Sequence, residues 1–173
     1  IPELLRQKKS SSLNMWSAAC STGEEPYSLA MLMRESFPSI RFSLLATDID
    51  AGVMQKAQTA VYPTVQAGQI PAQFRSRYVI ERTGNFEIAP EIRSSVSFRQ
   101  HNLLADQYPR ALDLIVCRNV MIYFTDDIKA RLYRQFAASL IPGGILFVGS
   151  TEQIFRPQDY GFRVFESFFY QRM

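Results

Sequence analysis

The chain has 173 residues, 47% hydrophobic and 20% charged, which is the balance of one folded domain with a full core and excludes a disordered or fibrous chain. A net charge of +3, with no long basic runs, is too mild to argue for nucleic acid, and no apolar run approaches the length needed to insert in a membrane. The two cysteines, Cys20 and Cys117, lack a CxxC spacing, and a single histidine, His101, excludes most zinc arrangements, so no metal site is expected. Both cysteines read as small buried thiols in a reducing compartment. The start at Ile1, without a basic-then-apolar leader, reads as a fragment or processed chain, and nothing in it points outside the cytoplasm.

Ile1 to Lys9 reads as the tail of a helix, followed by a polar break at Ser10-Ser11-Ser12. Leu13 to Ala18 is the first strand, and Glu25 to Phe37 a helix with Pro26 in its first turn, where a missing N–H has no consequence. Phe42 to Thr47 is a second strand ending in Asp48. Ala51 to Ala60 is the next helix, and Pro63 to Ile70 a loop. From Arg75 to about Ile92, short alternating pieces flank Thr83-Gly84-Asn85, the pattern of a small inserted antiparallel hairpin. Val96 to Gln100 and the strongly apolar Ala111 to Cys117 are further strands. Ile128, Leu132, Phe136 and Leu140 recur every four residues along one packed helix. Pro142-Gly143-Gly144 is a turn launching a strand over Ile145 to Val148, and Phe162 to Phe165 and Phe168 to Tyr170 are two strands too closely joined to be parallel. Strands alternating with helices imply a mostly parallel, helix-covered α/β sheet. With a C-terminal antiparallel hairpin, this is the Rossmann-like plan of class I methyltransferases, with a small β-subdomain inserted at about 75–95, and not that of nicotinamide dehydrogenases.

Four strings carry chemistry. The first, Trp16-Ser-Ala-Ala-Cys-Ser-Thr-Gly-Glu-Glu-Pro-Tyr-Ser28, sits at the turn from the first strand into the first long helix, where a doubly wound sheet binds its nucleotide. A dinucleotide site needs several glycines and an open helix N-terminus for the pyrophosphate. Here one glycine is followed by Glu24 and Glu25, which repel phosphate and favour a cationic, phosphate-free ligand such as S-adenosylmethionine. The competing reading is a capping box, Thr22 with Glu25 or Ser21 with Glu24. In the second string, Ala46-Thr-Asp-Ile-Asp50, Asp48 ends the second strand at the spacing of a ribose-binding acid; the alternative is a helix cap, for which Asp50 is better placed. In the third, Asn102 can read an adenine edge and Leu103 can pack on its face, although a strand-end Asn also suits a turn; the neighbouring His101 reads as structural. The fourth, Cys117-Arg-Asn-Val-Met-Ile-Tyr-Phe124, follows the most apolar strand, so its polar residues emerge at the carboxyl edge of the sheet. Tyr123 reads equally well as site or core.

Together with Gly149-Ser-Thr-Glu152, these strings resemble, in order and over nearly the whole chain from about Leu13, the CheR-type chemoreceptor glutamate methyltransferases of bacterial chemotaxis. The resemblance implies that Glu25, Asp48, Asn102, Leu103, Arg118 and Asn119 line the S-adenosylmethionine pocket and that Tyr123 lies beside the transferred methyl group. Arg118 and Tyr123 would assist catalysis, and the product would be S-adenosylhomocysteine. It implies the cytoplasmic helical region of chemoreceptors as partner, docked with help from the β-subdomain. The loop around Thr83-Gly84-Asn85 looks shorter than in members that grip a peptide at the receptor's end, which argues against that tether. Residues 1–12 resemble only the end of the linker helix preceding the 13–173 methyltransferase domain. The family's N-terminal helical domain, and the arginine-bearing segment that closes over the cofactor, have no counterpart, so weak cofactor binding and weak activity are expected. The alternative function is a non-catalytic S-adenosylmethionine-binding or partner-docking module of the same fold.

Overall fold

The computed structural model describes residues 1–8 and 11–173. Lys9 and Ser10, expected at the end of the first helix and in the break after it, lie outside the described residues. In chain order the elements are α1 (Pro2–Lys8), β1 (Ser12–Ala18), α2 (Glu24–Ser36), β2 (Arg41–Asp48), α3 (Ala51–Thr59), β3 (Val61–Pro63), α4 (Ala72–Tyr78), β4 (Val79–Arg82) and β5 (Asn85–Ile88). There follow α5 (Pro90–Arg93), β6 (Val96–Gln100), β7 (Leu112–Cys117), α6 (Asp126–Ser139), β8 (Leu140–Val148), β9 (Phe162–Glu166) and β10 (Phe169–Arg172).

Seven strands form the main sheet in the order β6-β2-β1-β7-β8-β10-β9. The first five run parallel, and β10 pairs antiparallel with both β8 and β9. The architecture is therefore the α/β sheet with a terminal antiparallel hairpin that the strand rhythm implies. The chain builds outward from β1 through β2 to β6, then returns to β7 on the other side. The reversal of strand order at β1/β7 opens a crevice at their carboxyl ends, where open α/β sheets bind ligands.

Both faces of the sheet are covered, so the central strands are mostly apolar and all six residues of β7, Asp113 included, are buried. Side chains alternate between two cores. Leu13, Met15, Leu114 and Val116 pack with Tyr27 and Met33 of α2 on one face. Trp16, Ala18, Ile115 and Cys117 pack with Leu132 and Phe136 of α6 on the other. Of the four residues spaced along α6, Leu132 and Phe136 are fully buried, while Leu140 has already left the helix to begin β8.

Three local expectations are corrected. Pro142-Gly143-Gly144 does not separate a turn from a strand: β8 runs through it with a bulge, so that Leu140 pairs with Leu112 and Ile145 with Leu114. Gly143 supplies the left-handed φ of 81° this detour requires. Arg77 and Tyr78 belong to α4, not to the inserted hairpin. The hairpin itself, β4 and β5, has a third strand, β3, from outside the 75–95 span, giving the order β3-β5-β4. A three-residue strand within the Val61–Pro63 segment has too few residues to display alternation, and it is recognisable only through its partner. The Pro63–Ile70 stretch is a 3-10 turn over Thr64–Gln69. Tyr62 stacks near Phe86 at 5.5 Å and donates its hydroxyl to the carbonyl of Thr22 at 2.8 Å, so the small sheet braces the turn that leaves β1.

Candidate cofactor and active site

The chain leaves β1 through a turn in which Ala19, Ser21 and Gly23 all have positive φ (62°, 49° and 94°). Two of these are not glycine, so the turn is held against its intrinsic preference. Asp48, at the end of β2, holds it: its carboxylate accepts the Ser21 N–H at 2.8 Å and the Asp50 N–H at 3.1 Å. Asp50, as its position suggests, caps α3 by accepting the N–H groups of Gly52 and Val53. Gly23 could not be replaced easily, since a Cβ there would lie 3.0 Å from that of Ala57 in a backbone conformation L-residues avoid.

The capping-box reading of the two glutamates is not realised. The N-cap of α2 is Gly23, without a side-chain cap bond. Glu24 accepts the Thr22 hydroxyl at 2.6 Å. Glu25 turns inward, accepting the Ser17 hydroxyl at 2.7 Å, with Arg118 at 3.6 Å from its second oxygen. Burial pushes the Glu25 carboxyl above the usual carboxylate range, opposed by the Ser17 bond and by Arg118.

These groups open onto one cleft of about 1170 Å³ at the carboxyl edge of the sheet. Glu25, Asp48, Asn102, Leu103, Arg118, Asn119 and Tyr123 all line it. The fold thus brings every sequence-predicted site residue to one place. Asn102 makes the turn that was its alternative reading, its side-chain oxygen accepting the Leu104 N–H at 2.8 Å, and still borders the cleft. Leu103 is buried, its carbonyl accepting the Tyr108 hydroxyl. The Arg118 guanidinium lies over the Phe147 ring, 5.5 Å from its centroid, a cation–π contact across the cleft wall. Tyr123 is 78% exposed on the 3-10 turn Met121–Tyr123, which removes the core reading. His101 is buried edge-on against Trp16 and Tyr108, its Nε2 3.3 Å from the Gln107 carbonyl oxygen, and it also borders the cleft.

Cys20 and Cys117 are free and buried. Cys20 borders the cleft, and burial, reinforced by the charge of Asp48, pushes its thiol up to about 12. Cys117 is likewise raised, by complete burial. Neither is a thiolate nucleophile at neutral pH.

Two residues of the site escaped the sequence reading. Ser17, fully buried in β1, is a polar residue among the strand's buried apolar ones and has no other mark in the sequence. Glu152, 5% exposed, accepts three backbone N–H groups from the loops that follow β7 and β8. It stands within the matched Gly149–Glu152 string, but nothing there marks its carboxylate as buried.

The donor set suits S-adenosylmethionine. A partly buried carboxylate (Glu25) can receive an ammonium group, and a second with unused oxygen lone pairs (Asp48) can receive hydroxyls. A seven-stranded sheet with a terminal antiparallel hairpin and such a cleft defines a class I methyltransferase fold. The comparisons agree. Residues 1–169 match the family described as "CheR methyltransferase, SAM binding domain". A chemotaxis protein methyltransferase of Listeria monocytogenes is 44% identical over 170 residues, covering 98% of this chain and 64% of its own. Chemotaxis protein methyltransferase 2 of Pseudomonas aeruginosa is 42% identical over 148 residues, 81% of this chain and 53% of its own. Among solved structures, a TehB-like SAM-dependent methyltransferase from Corynebacterium glutamicum superimposes with a TM-score of 0.55 at 14% identity, covering 98% of this chain and 83% of that one, a likeness of fold alone. The chain belongs to the CheR methyltransferase family as its S-adenosylmethionine-binding domain, and it spans 64% of the length of its Listeria relative. Among the described residues no helix is long and apolar enough to cross a membrane.

Proposed function

We propose that this domain transfers the methyl group of S-adenosylmethionine to glutamate side chains in the cytoplasmic helical region of chemotaxis receptors, forming methyl esters. The observation that carries the reading is the convergence of Glu25, Asp48, Arg118 and Tyr123 on one cleft whose volume, about 1170 Å³, exceeds the roughly 300–1,000 Å³ of ordinary small-molecule pockets. It has room for a cofactor and for a side chain entering from outside. The names of the chemotaxis relatives support the choice of substrate.

In this reading Glu25 receives the ammonium group, Asp48 the ribose hydroxyls, Asn102 and Leu103 the adenine, and Asn119 the remaining polar edge. The bound cofactor supplies an electrophilic methyl group on a sulfonium. The incoming glutamate is already ionised, with an ordinary pKa of about 4.3, so no general base is required. Catalysis rests on holding the carboxylate in line with the methyl group. Arg118 offers planar donors for that carboxylate, and Tyr123, exposed at the rim, offers a hydroxyl and a ring wall. The β4–β5 turn contains only Thr83 and Gly84, which favours docking on the receptor's helices without a peptide-gripping loop, in the cytoplasm where those helices lie.

The test is incorporation of labelled methyl groups into a receptor cytoplasmic fragment. Label released by mild base is the expected outcome. Label that survives base overturns the ester. S-adenosylhomocysteine binding without any incorporation replaces this function by the non-catalytic binding module.

A further inference from the structure

The roles proposed above leave Glu152 without a task, although its carboxylate is engaged on every side. Its Oε2 accepts the N–H of Asn119 at 2.7 Å and that of Gly149 at 2.8 Å, and its Oε1 accepts the N–H of Met121 at 2.7 Å. Its own N–H donates to the Gly149 carbonyl at 3.0 Å. It forms no salt bridge among the described residues and does not border the cleft. A buried carboxylate held only by backbone donors has a structural consequence wherever those donors belong.

Two of them, on Asn119 and Met121, belong to the loop after β7 that lines the cleft, and the third, on Gly149, to the loop after β8 that stands behind it. The strands β7 and β8 are parallel neighbours that end in register, Cys117 beside Val148. After β7 the chain turns through a left-handed conformation at Asn119, φ 58°, and enters the Met121–Tyr123 turn. That path points the N–H groups of residues 119 and 121 inward, away from any strand or helix partner. Only an acceptor without hydrogens, long enough to come from the adjacent loop, meets both. Gly149 makes the approach possible: a Cβ there would stand 2.6 Å from both Asn119 Oδ1 and Glu152 Oε2.

We infer that Glu152 is a positioning residue of the cofactor cleft, setting through three backbone N–H groups where Asn119 and the Met121–Tyr123 turn stand, without touching cofactor or substrate. The inference rests on the S-adenosylmethionine site proposed above. The wall of the cleft that carries Arg118, Asn119 and Tyr123 is thus fixed by a residue behind it.

Calorimetric binding of S-adenosylhomocysteine tests this on the chain and three variants. Glu152→Gln keeps the shape but turns one acceptor into a donor, and Gly149→Ala keeps the carboxylate but forces the loops apart. Each is expected to weaken binding by about tenfold or more, the loss of one hydrogen bond to a charged group. Leu13→Ala, a lesion in the core at the far end of β1, lowers the melting temperature and keeps wild-type affinity. In Glu152→Gln the amide proton resonances of Asn119, Met121 and Gly149 move upfield together in the free chain. Wild-type affinity in both site variants overturns the inference, as does an equal loss of affinity in Leu13→Ala. A chain that binds S-adenosylhomocysteine, loses it in the two site variants and transfers no methyl group sinks the enzymatic function and leaves this inference standing.

Discussion

Asp48 and Glu152 do related work at opposite sides of one cleft. Each is a carboxylate near a strand end that accepts backbone N–H groups and so fixes a turn. Asp48 meets two, from Ser21 and Asp50, and remains partly exposed on the cleft. Glu152 meets three and is 5% exposed behind the wall. An ionised carboxylate offers about four lone-pair sites, so Asp48 has capacity left to meet a ligand's hydroxyls while Glu152 is close to saturation. In the roles proposed above, the difference separates two tasks that sequence chemistry alone does not distinguish: an acid that shapes a turn and also binds, and an acid that shapes a turn so that its neighbours bind.

The contrast is sharpest in a pair of truncations. Glu152→Ala leaves three N–H groups buried and unpaired, at about 1–3 kcal/mol each, so urea unfolding is expected to show a loss of about 3 kcal/mol or more. Asp48→Ala exposes its two donors to a cleft that water enters, and the expected loss of stability is about 1 kcal/mol or less. Its effect falls on binding instead: S-adenosylhomocysteine affinity drops about a hundredfold, the loss of two hydrogen bonds to a charged acceptor. Equal destabilisation by the two substitutions would erase the distinction.

Glu25 extends the comparison to pH. Burial raises its carboxyl above the usual range, so in the free chain it holds its proton to higher pH than an exposed glutamate. A bound ammonium group favours the ionised form and lowers that value, so binding expels a proton wherever the free carboxyl is still protonated. Affinity for S-adenosylhomocysteine is therefore expected to rise with pH through the ionisation of Glu25 and to level off above it. Glu25→Gln flattens the rise and, at pH 7, weakens binding by about tenfold. A pH profile unchanged by the substitution would place the ammonium elsewhere.

Most of this site could be read before its structure, for physical reasons that also mark where reading stopped. The parallel sheet was legible because buried strands such as β7 are apolar at nearly every position, Asp113 excepted, and α6 repeats at helical spacing. The cleft residues were legible because they end a strand or stand on the segment that leaves one, where chain order alone puts them near the carboxyl edge. What escaped depended on contacts distant in sequence. Strand β3 exists only because β5 pairs with it. The bulge in β8 follows from its register with Leu112 and Leu114, whereas a Pro-Gly-Gly sequence in isolation reads as a turn. The inward turn of Glu25 was undecided because helix capping and ligand binding require the same residue at the same place, and only Ser17 and Arg118, eight and ninety-three positions away, settle its direction. Glu152 is the extreme case, since its three partners include two residues more than thirty positions away.

Cys20 reports on the Asp48 side of the cleft with the smallest effect. Its thiol is pushed up to about 12, first by burial and then by the charge of Asp48, so at pH 8 almost all molecules carry the unreactive thiol. Alkylation by iodoacetamide is expected to be slow in the folded chain and fast after unfolding. Asp48→Asn removes the second cause and leaves the first, so the folded-state rate rises by only a few fold. The same measurement on Cys117, which is fully buried, is expected to stay silent in both chains. A rate at Cys20 that does not respond to Asp48→Asn means the carboxylate's field is screened by the water of the cleft. An oxygen so well hydrated still has room for a ribose, while its hydrogen bonds from Ser21 and Asp50 continue to hold the turn from which Cys20 emerges.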